Sequence, residues 1–168
     1  MTKNLVVVLM MGCALAACNK EKPKEVVLNA VPTTKALPNG MPRLTLNMTD
    51  GTNVTMTNLT GKVLLICYNP SCDHCQREAK LLSENKDLLK DYEIYFLTPE
   101  PLEEAAKFQR EYKLEEPNIH FGRAEVPQII PAIGAISTVP TFFVYQDQTL
   151  VKRLEGEISI GDLQKVIQ

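Results

Sequence analysis

A surplus of basic residues is missing: 18 Lys and Arg stand against 20 Asp and Glu, a formal net charge of −2. Without that surplus there is no electrostatic drive toward phosphate backbones, which excludes nucleic acid as a partner. Tryptophan is absent and histidine occurs only twice. The longest apolar run, residues 5–17, falls short of the roughly 20 residues of a permanent membrane helix. No internal repeat and no low-complexity tract is present. At 168 residues the chain has room for one domain and a short appendage, not for several domains. What it does contain is 45% hydrophobic and 23% charged residues, a balance that buries a core. The five cysteines, Cys13, Cys18, Cys67, Cys72 and Cys75, are an odd number, which excludes a fully paired disulfide framework.

The N-terminus reads as a targeting segment, with Lys3 as its positive end followed by the apolar run. The run closes on Leu15-Ala16-Ala17-Cys18, which resembles the lipobox of bacterial lipoproteins. The resemblance implies that residues 1–17 are a signal peptide lost with Cys13, and that Cys18 becomes the lipidated first residue. More than one acyl chain makes such anchoring stable, at ~0.8 kcal/mol per buried methylene. Residues 18–40 are charged and dotted with Pro23, Pro32 and Pro38, the chemistry of a flexible tether. The expected location is the bacterial cell envelope, on its extracytoplasmic side. An ordinary secretory peptide with Cys18 incidental is the plainer alternative.

Residues 41–168 carry alternating strand and helix signals. Residues 43–48 and 52–56 alternate around Asp50-Gly51, an N-terminal hairpin. Lys62 to Tyr68 contains the unbroken apolar run Val63-Leu64-Leu65-Ile66-Cys67, which suits a strand covered on both faces and central in a sheet. Cys75, Ala79, Leu82 and Leu89 predict a long helix over 73–90. A strand at 93–97, a helix from Pro101 to about Lys113 and a short strand at 118–121 follow. A helix around 126–133 is expected to be shortened or kinked by Pro131. Residues 141–145 and 150–154 form a closing hairpin, and Ser159 to Asp162 resembles a capping box that opens a terminal helix. The order ββ, βαβα, βα, ββα implies an α/β domain: a central mixed sheet flanked by helices.

The strongest chemical signal is Cys72-Asp73-His74-Cys75 at the junction of the central strand and the long helix. Residues three apart on a helix share a face at about 5–6 Å, so the two thiols can join and part without refolding. Cys72 at the helix N-terminus meets unpaired N–H groups and the positive end of the dipole, which favour a thiolate and make it the nucleophile. Cys75, one turn on and on the apolar stripe, is the resolving thiol. Asp73 opposes a Cys72 thiolate by its charge and His74, when protonated, favours it. A structural zinc needs four ligands, and beyond the pair only Cys67, His74 and His120 remain, so no metal is assigned. A static disulfide is the other structural reading. Cys67 reads as a small buried hydrophobe.

Together with Gly61-Lys62-Val63-Leu64-Leu65-Ile66 and Ser137-Thr138-Val139-Pro140-Thr141-Phe142-Phe143-Val144, this motif resembles the extracytoplasmic thioredoxin-like proteins of the TlpA and ResA type, over residues 41–168. The resemblance implies a thioredoxin-like fold and a cis Val139–Pro140 bond whose loop faces the cysteines. Val139 and Pro140 then present an extended substrate segment by pairing with its backbone. It also implies a proton-transfer role for Glu78, for which a solvated surface carboxylate is the plainer alternative. The chain departs from the pattern in having Ser71 where a tryptophan often precedes the first cysteine, and Asp73 where proline is frequent. A histidine before the second cysteine also occurs in strongly oxidising relatives of the DsbA kind, which leaves reduction and oxidation both open.

These readings converge on a membrane-anchored thiol–disulfide oxidoreductase without cofactor. Its expected partners are disulfide-containing exported proteins, a membrane thiol-electron carrier as donor and the membrane itself. The alternatives are a peroxiredoxin-type peroxidase, whose usual Pro-x-x-x-Thr-x-x-Cys segment is absent, and a lipoprotein binding module or copper carrier.

Overall fold

The computed structural model describes residues 39–167. The signal segment, Cys13, Cys18 and nearly all of the tether lie outside the described residues. Among the described residues no helix is long and apolar enough to cross a membrane.

Seven strands form one mixed sheet: β1 (Thr45–Met48), β2 (Asn53–Thr55), β3 (Lys62–Cys67), β4 (Glu93–Thr98), β5 (Ile119–Arg123), β6 (Thr141–Gln146) and β7 (Thr149–Glu155). Their order is β2-β1-β5-β4-β3-β6-β7. β3, β4 and β5 are parallel, whereas β1 and β6 join this block antiparallel. The expected continuous apolar strand is therefore β3, an interior strand between β4 and β6, while the middle position falls to β4. Side chains alternate along it. Leu64 and Ile66 join a core with Cys75, Ala79 and Leu82 of helix α1 (Asp73–Glu84), Phe108 of α2 (Leu102–Glu111) and Leu163 of α4 (Ile160–Ile167). Val63, Leu65 and Cys67 face a second core with Met41, Leu44, Met56 and Ile129 and Ile133 of α3 (Val126–Ile133). Both faces of the sheet are thus buried, which is what an unbroken run without polar alternation requires.

The two hairpins form as expected, the first with shorter strands and the second with a tighter turn. Gly51 (φ 85°) takes the left-handed position in the first. In the second, Asp147 and Gln148 (φ 46° and 67°) make a two-residue turn that lengthens both strands beyond the expected 141–145 and 150–154.

The helix expected over 73–90 stops at Glu84. Asn85 leaves helical geometry (φ −129°, ψ 32°), and its side-chain amide donates to the Leu81 carbonyl at 2.8 Å. That carbonyl is one the helix end would otherwise leave without a partner. A 3-10 turn over Lys86–Leu89 then carries Leu89 into the core. Helix α3 has only eight residues, with Pro131 inside and Gly134 (φ 82°) ending it. Ser159 caps α4: its hydroxyl accepts the Asp162 amide at 3.1 Å and donates to the Asp162 carboxylate at 2.8 Å.

Candidate active site

The site forms where β3 runs into α1. Asn69 makes the turn: its side-chain carbonyl accepts the Ser71 amide at 2.8 Å and the Ser71 hydroxyl at 3.0 Å, while its side-chain NH2 donates to Glu100 at 3.1 Å. The Asn-Pro-Ser run is turn chemistry legible in sequence, although its use here, to hold the chain ahead of Cys72, was not anticipated. Cys72 is the N-cap of α1 with extended backbone (φ −86°, ψ 121°), at the mouth of the helix dipole and half-buried. Its Sγ lies 3.9 Å from the Val139 carbonyl oxygen. The Val139–Pro140 bond is cis, as expected, and its loop does meet the first cysteine. Among the described residues the Val139 amide has no hydrogen-bond partner.

Cys75 is 2% exposed, and its Sγ accepts the Asn69 amide at 3.5 Å. Burial pushes its thiol up to about 12; the hydrogen bond and charge of Cys72 and the charge of Glu78 add to this, and the Asn69 amide opposes it. Beneath it Tyr68 packs edge-on to Phe96 and Phe121, with its hydroxyl buried and unpartnered. Burial, with the charge of Cys75, raises that hydroxyl far above the usual tyrosine range. The sequence left Tyr68 without a role. Cys67 is core, as expected, and burial lifts its thiol to about 12.

Glu78 lies one turn beyond Cys75 on the same face of α1 and is 3% exposed, so it is not a solvated surface carboxylate. Its Oε2 accepts the Ile158 amide at 3.1 Å, and its Oε1 is buried without a partner. Burial raises it to about 7; the Ile158 amide pulls the other way and the Glu157 charge adds to the rise. Asp73 and His74 are exposed on the first turn. His74 Nδ1 stands 2.7 Å from Glu157 Oε1 and 2.8 Å from an Arg77 guanidinium nitrogen, while Arg77 Nε donates to Glu157 at 2.8 Å. Glu157 is the residue that sequence reasoning missed. It follows β7, 83 and 80 positions after His74 and Arg77, with no motif around it. His120 is not part of the site; it pairs with Glu93.

An apolar cavity of about 310 Å³ adjoins the Val139 side, lined by Leu97, Pro99, Ile129, Ile136 and the half-exposed Val126 and Ile130. A second, of about 380 Å³, borders Pro70 and Ser71 and is walled by Glu100, Glu104 and Glu111. Among the described residues no group of three or more His, Cys, Asp or Glu could hold a metal ion.

The fold is similar to that of a secreted Mycobacterium tuberculosis disulfide oxidoreductase homologous to E. coli DsbE. The identity is 17%, over 74% of this chain and 94% of that one, with a TM-score of 0.64. StoA from Bacillus subtilis is similar at 14% identity over 78% of this chain and all of its own, TM-score 0.60. Arabidopsis thaliana ScoI, solved with copper bound, is similar at 16% identity over 76% of this chain and 94% of its own, TM-score 0.60. At these identities the likeness establishes the thioredoxin-like fold. No curated protein sequence matches the chain significantly. The AhpC/TSA family profile matches residues 37–153, a span that runs from ahead of β1 into β7 and takes in the cysteine pair and the cis-proline loop. The chain belongs to the AhpC/TSA family.

Proposed function

We propose that the protein is a thiol–disulfide oxidoreductase that reduces disulfides of exported proteins, anchored at the extracytoplasmic side of the cell envelope through a lipid on Cys18. One observation carries the chemistry: Cys72 caps α1 with its sulfur against the Val139 carbonyl, and Cys75 is buried one turn behind it. The Cys72 thiolate attacks one sulfur of a substrate disulfide; that bond breaks, a Cys72–substrate disulfide forms and the first substrate thiolate leaves. The free Val139 amide holds the substrate backbone as an added strand does. Once the Cys72 sulfur is in the mixed disulfide, its charge and hydrogen bond no longer raise the Cys75 thiol. Glu78 then takes the Cys75 proton, and Cys75 attacks Cys72 and releases the second substrate thiolate. The product is a Cys72–Cys75 disulfide, which a membrane thiol-electron carrier returns to two thiols. The tether and the lipobox-like Leu15-Ala16-Ala17-Cys18 support the location.

The family match favours a second reading, peroxide reduction at Cys72. Against it, Leu65 and Asn69 stand where the Pro and Thr of the usual peroxidatic segment belong. The reduction potential of the pair, measured against glutathione, tests the main reading. A value above about −300 mV is expected of an exchanging pair, and one below it belongs to a static bond.

A further inference from the structure

The loop between β7 and α4 touches the site on three successive residues. The Gly156 amide donates to the Pro140 carbonyl at 2.8 Å. Glu157 meets His74 and Arg77, and the Ile158 amide donates to Glu78. Each contact reaches a part of the proposed machinery: the cis-proline loop, the residue between the two cysteines, and the buried carboxyl. Gly156 itself holds φ 82°, a left-handed geometry that favours glycine. Glu157 is deeply engaged for a surface residue, and the Arg77 hydrogen bond, ahead of His74, holds its carboxyl below the usual glutamate range.

His74 is the one cationic candidate inside the motif. An imidazolium beside Cys72 would stabilise the thiolate, hence the reduced pair, and make the protein a stronger oxidant. The Nδ1 of its ring is committed elsewhere. A protonated Nδ1 donates to Glu157, and an unprotonated Nδ1 accepts from Arg77, so the same atom is occupied in both states. Among the described residues His74 makes no hydrogen bond to Cys72, whose sulfur faces the Val139 carbonyl instead. The other charges on this turn and the next are Asp73, Arg77, the buried Glu78 and the exposed Lys80.

We infer that Glu157 is a positioning residue that draws His74 away from Cys72 and so keeps the pair reducing. The inference rests on the oxidoreductase reading above. It is tested by equilibrating the purified protein with glutathione at pH 7. There the dithiol gains one S–S bond as glutathione disulfide loses its own, two electrons and two protons passing to give two glutathione thiols. Five proteins are compared: the unaltered chain, Glu157→Ala, His74→Ala, the double variant and Glu157→Asp.

Glu157→Ala is expected to shift the equilibrium three- to tenfold toward the dithiol, about 15–30 mV upward at 29.6 mV per tenfold. The shift is expected to vanish in the His74→Ala background, and Glu157→Asp is expected to restore the original value. No shift, a downward shift, or an equal shift with and without His74 overturns the inference, the last because it marks a general charge effect. Absence of any exchange in the unaltered chain overturns the oxidoreductase reading instead, so the two failures are distinguishable.

Discussion

At pH 7 the Glu78 carboxyl, 3% exposed and raised to about 7, is close to half ionised. A base poised there can accept a proton at neutral pH and return it, which an ordinary glutamate cannot do as well. The same burial costs stability. The folded value lies above the ordinary 4.5, so the folded chain binds more protons than the unfolded one between pH 4.5 and about 7. Stability is full below that window, falls as pH rises through it, and stays reduced above. At 1.36 kcal/mol per unit the loss is on the order of 3 kcal/mol. Glu78→Gln is therefore expected to raise the denaturation midpoint at pH 8 and to lose that advantage by pH 4.5, read by urea unfolding at both. In stopped-flow kinetics the same variant is expected to slow resolution of the mixed disulfide about 10²-fold and to remove the rate increase near pH 7. Glu78 shows what a sequence leaves open. The family resemblance marked it as a candidate, but the amide that holds its carboxylate belongs to Ile158, 80 positions away.

The elements are set by short-range patterns where those patterns are complete. β3 declares itself by five residues, Val63 to Cys67, without a polar interruption, and α4 by Ser159 three positions ahead of Asp162. α1 is legible at its start and not at its end, because Asn85 stops it through its own side chain while the apolar spacing continues to Leu89. Pairing partners are less legible still. β5 carries Gly122 opposite Met48 of β1, and a Cβ there would meet Met48 Sδ at 2.7 Å and Leu46 Cβ at 3.1 Å. The methionine can swing aside, but the Leu46 Cβ is fixed by the strand. Gly122→Ala is thus expected to destabilise the domain by about 1–3 kcal/mol through overpacking, as a lower urea midpoint with an unchanged slope.

Across the whole molecule, the sheet brings β3 and β6 side by side, so the motif that ends β3 and the Val139–Pro140 pair that precedes β6 meet although 67 positions separate Cys72 from Val139. That convergence was legible, because the motif and the Val-Pro-Thr segment each have a recognisable place beside a strand. The β7–α4 loop was not, because its contacts exist only once the sheet has closed. The thiols consequently have unequal standing: Cys72 is half-buried at a helix mouth, whereas Cys67 and Cys75 are buried and raised to about 12. An exchange mechanism depends on that inequality, since one sulfur must attack first and the other only afterwards. The most direct test is capture in cells by Cys75→Ser, with Cys72→Ser as the control. Cys75→Ser is expected to accumulate reductant-sensitive adducts with exported, disulfide-bearing proteins through Cys72, and Cys72→Ser to accumulate none. A Cys75→Ser protein whose Cys72 stays reactive but captures no partner would contradict the exchange mechanism.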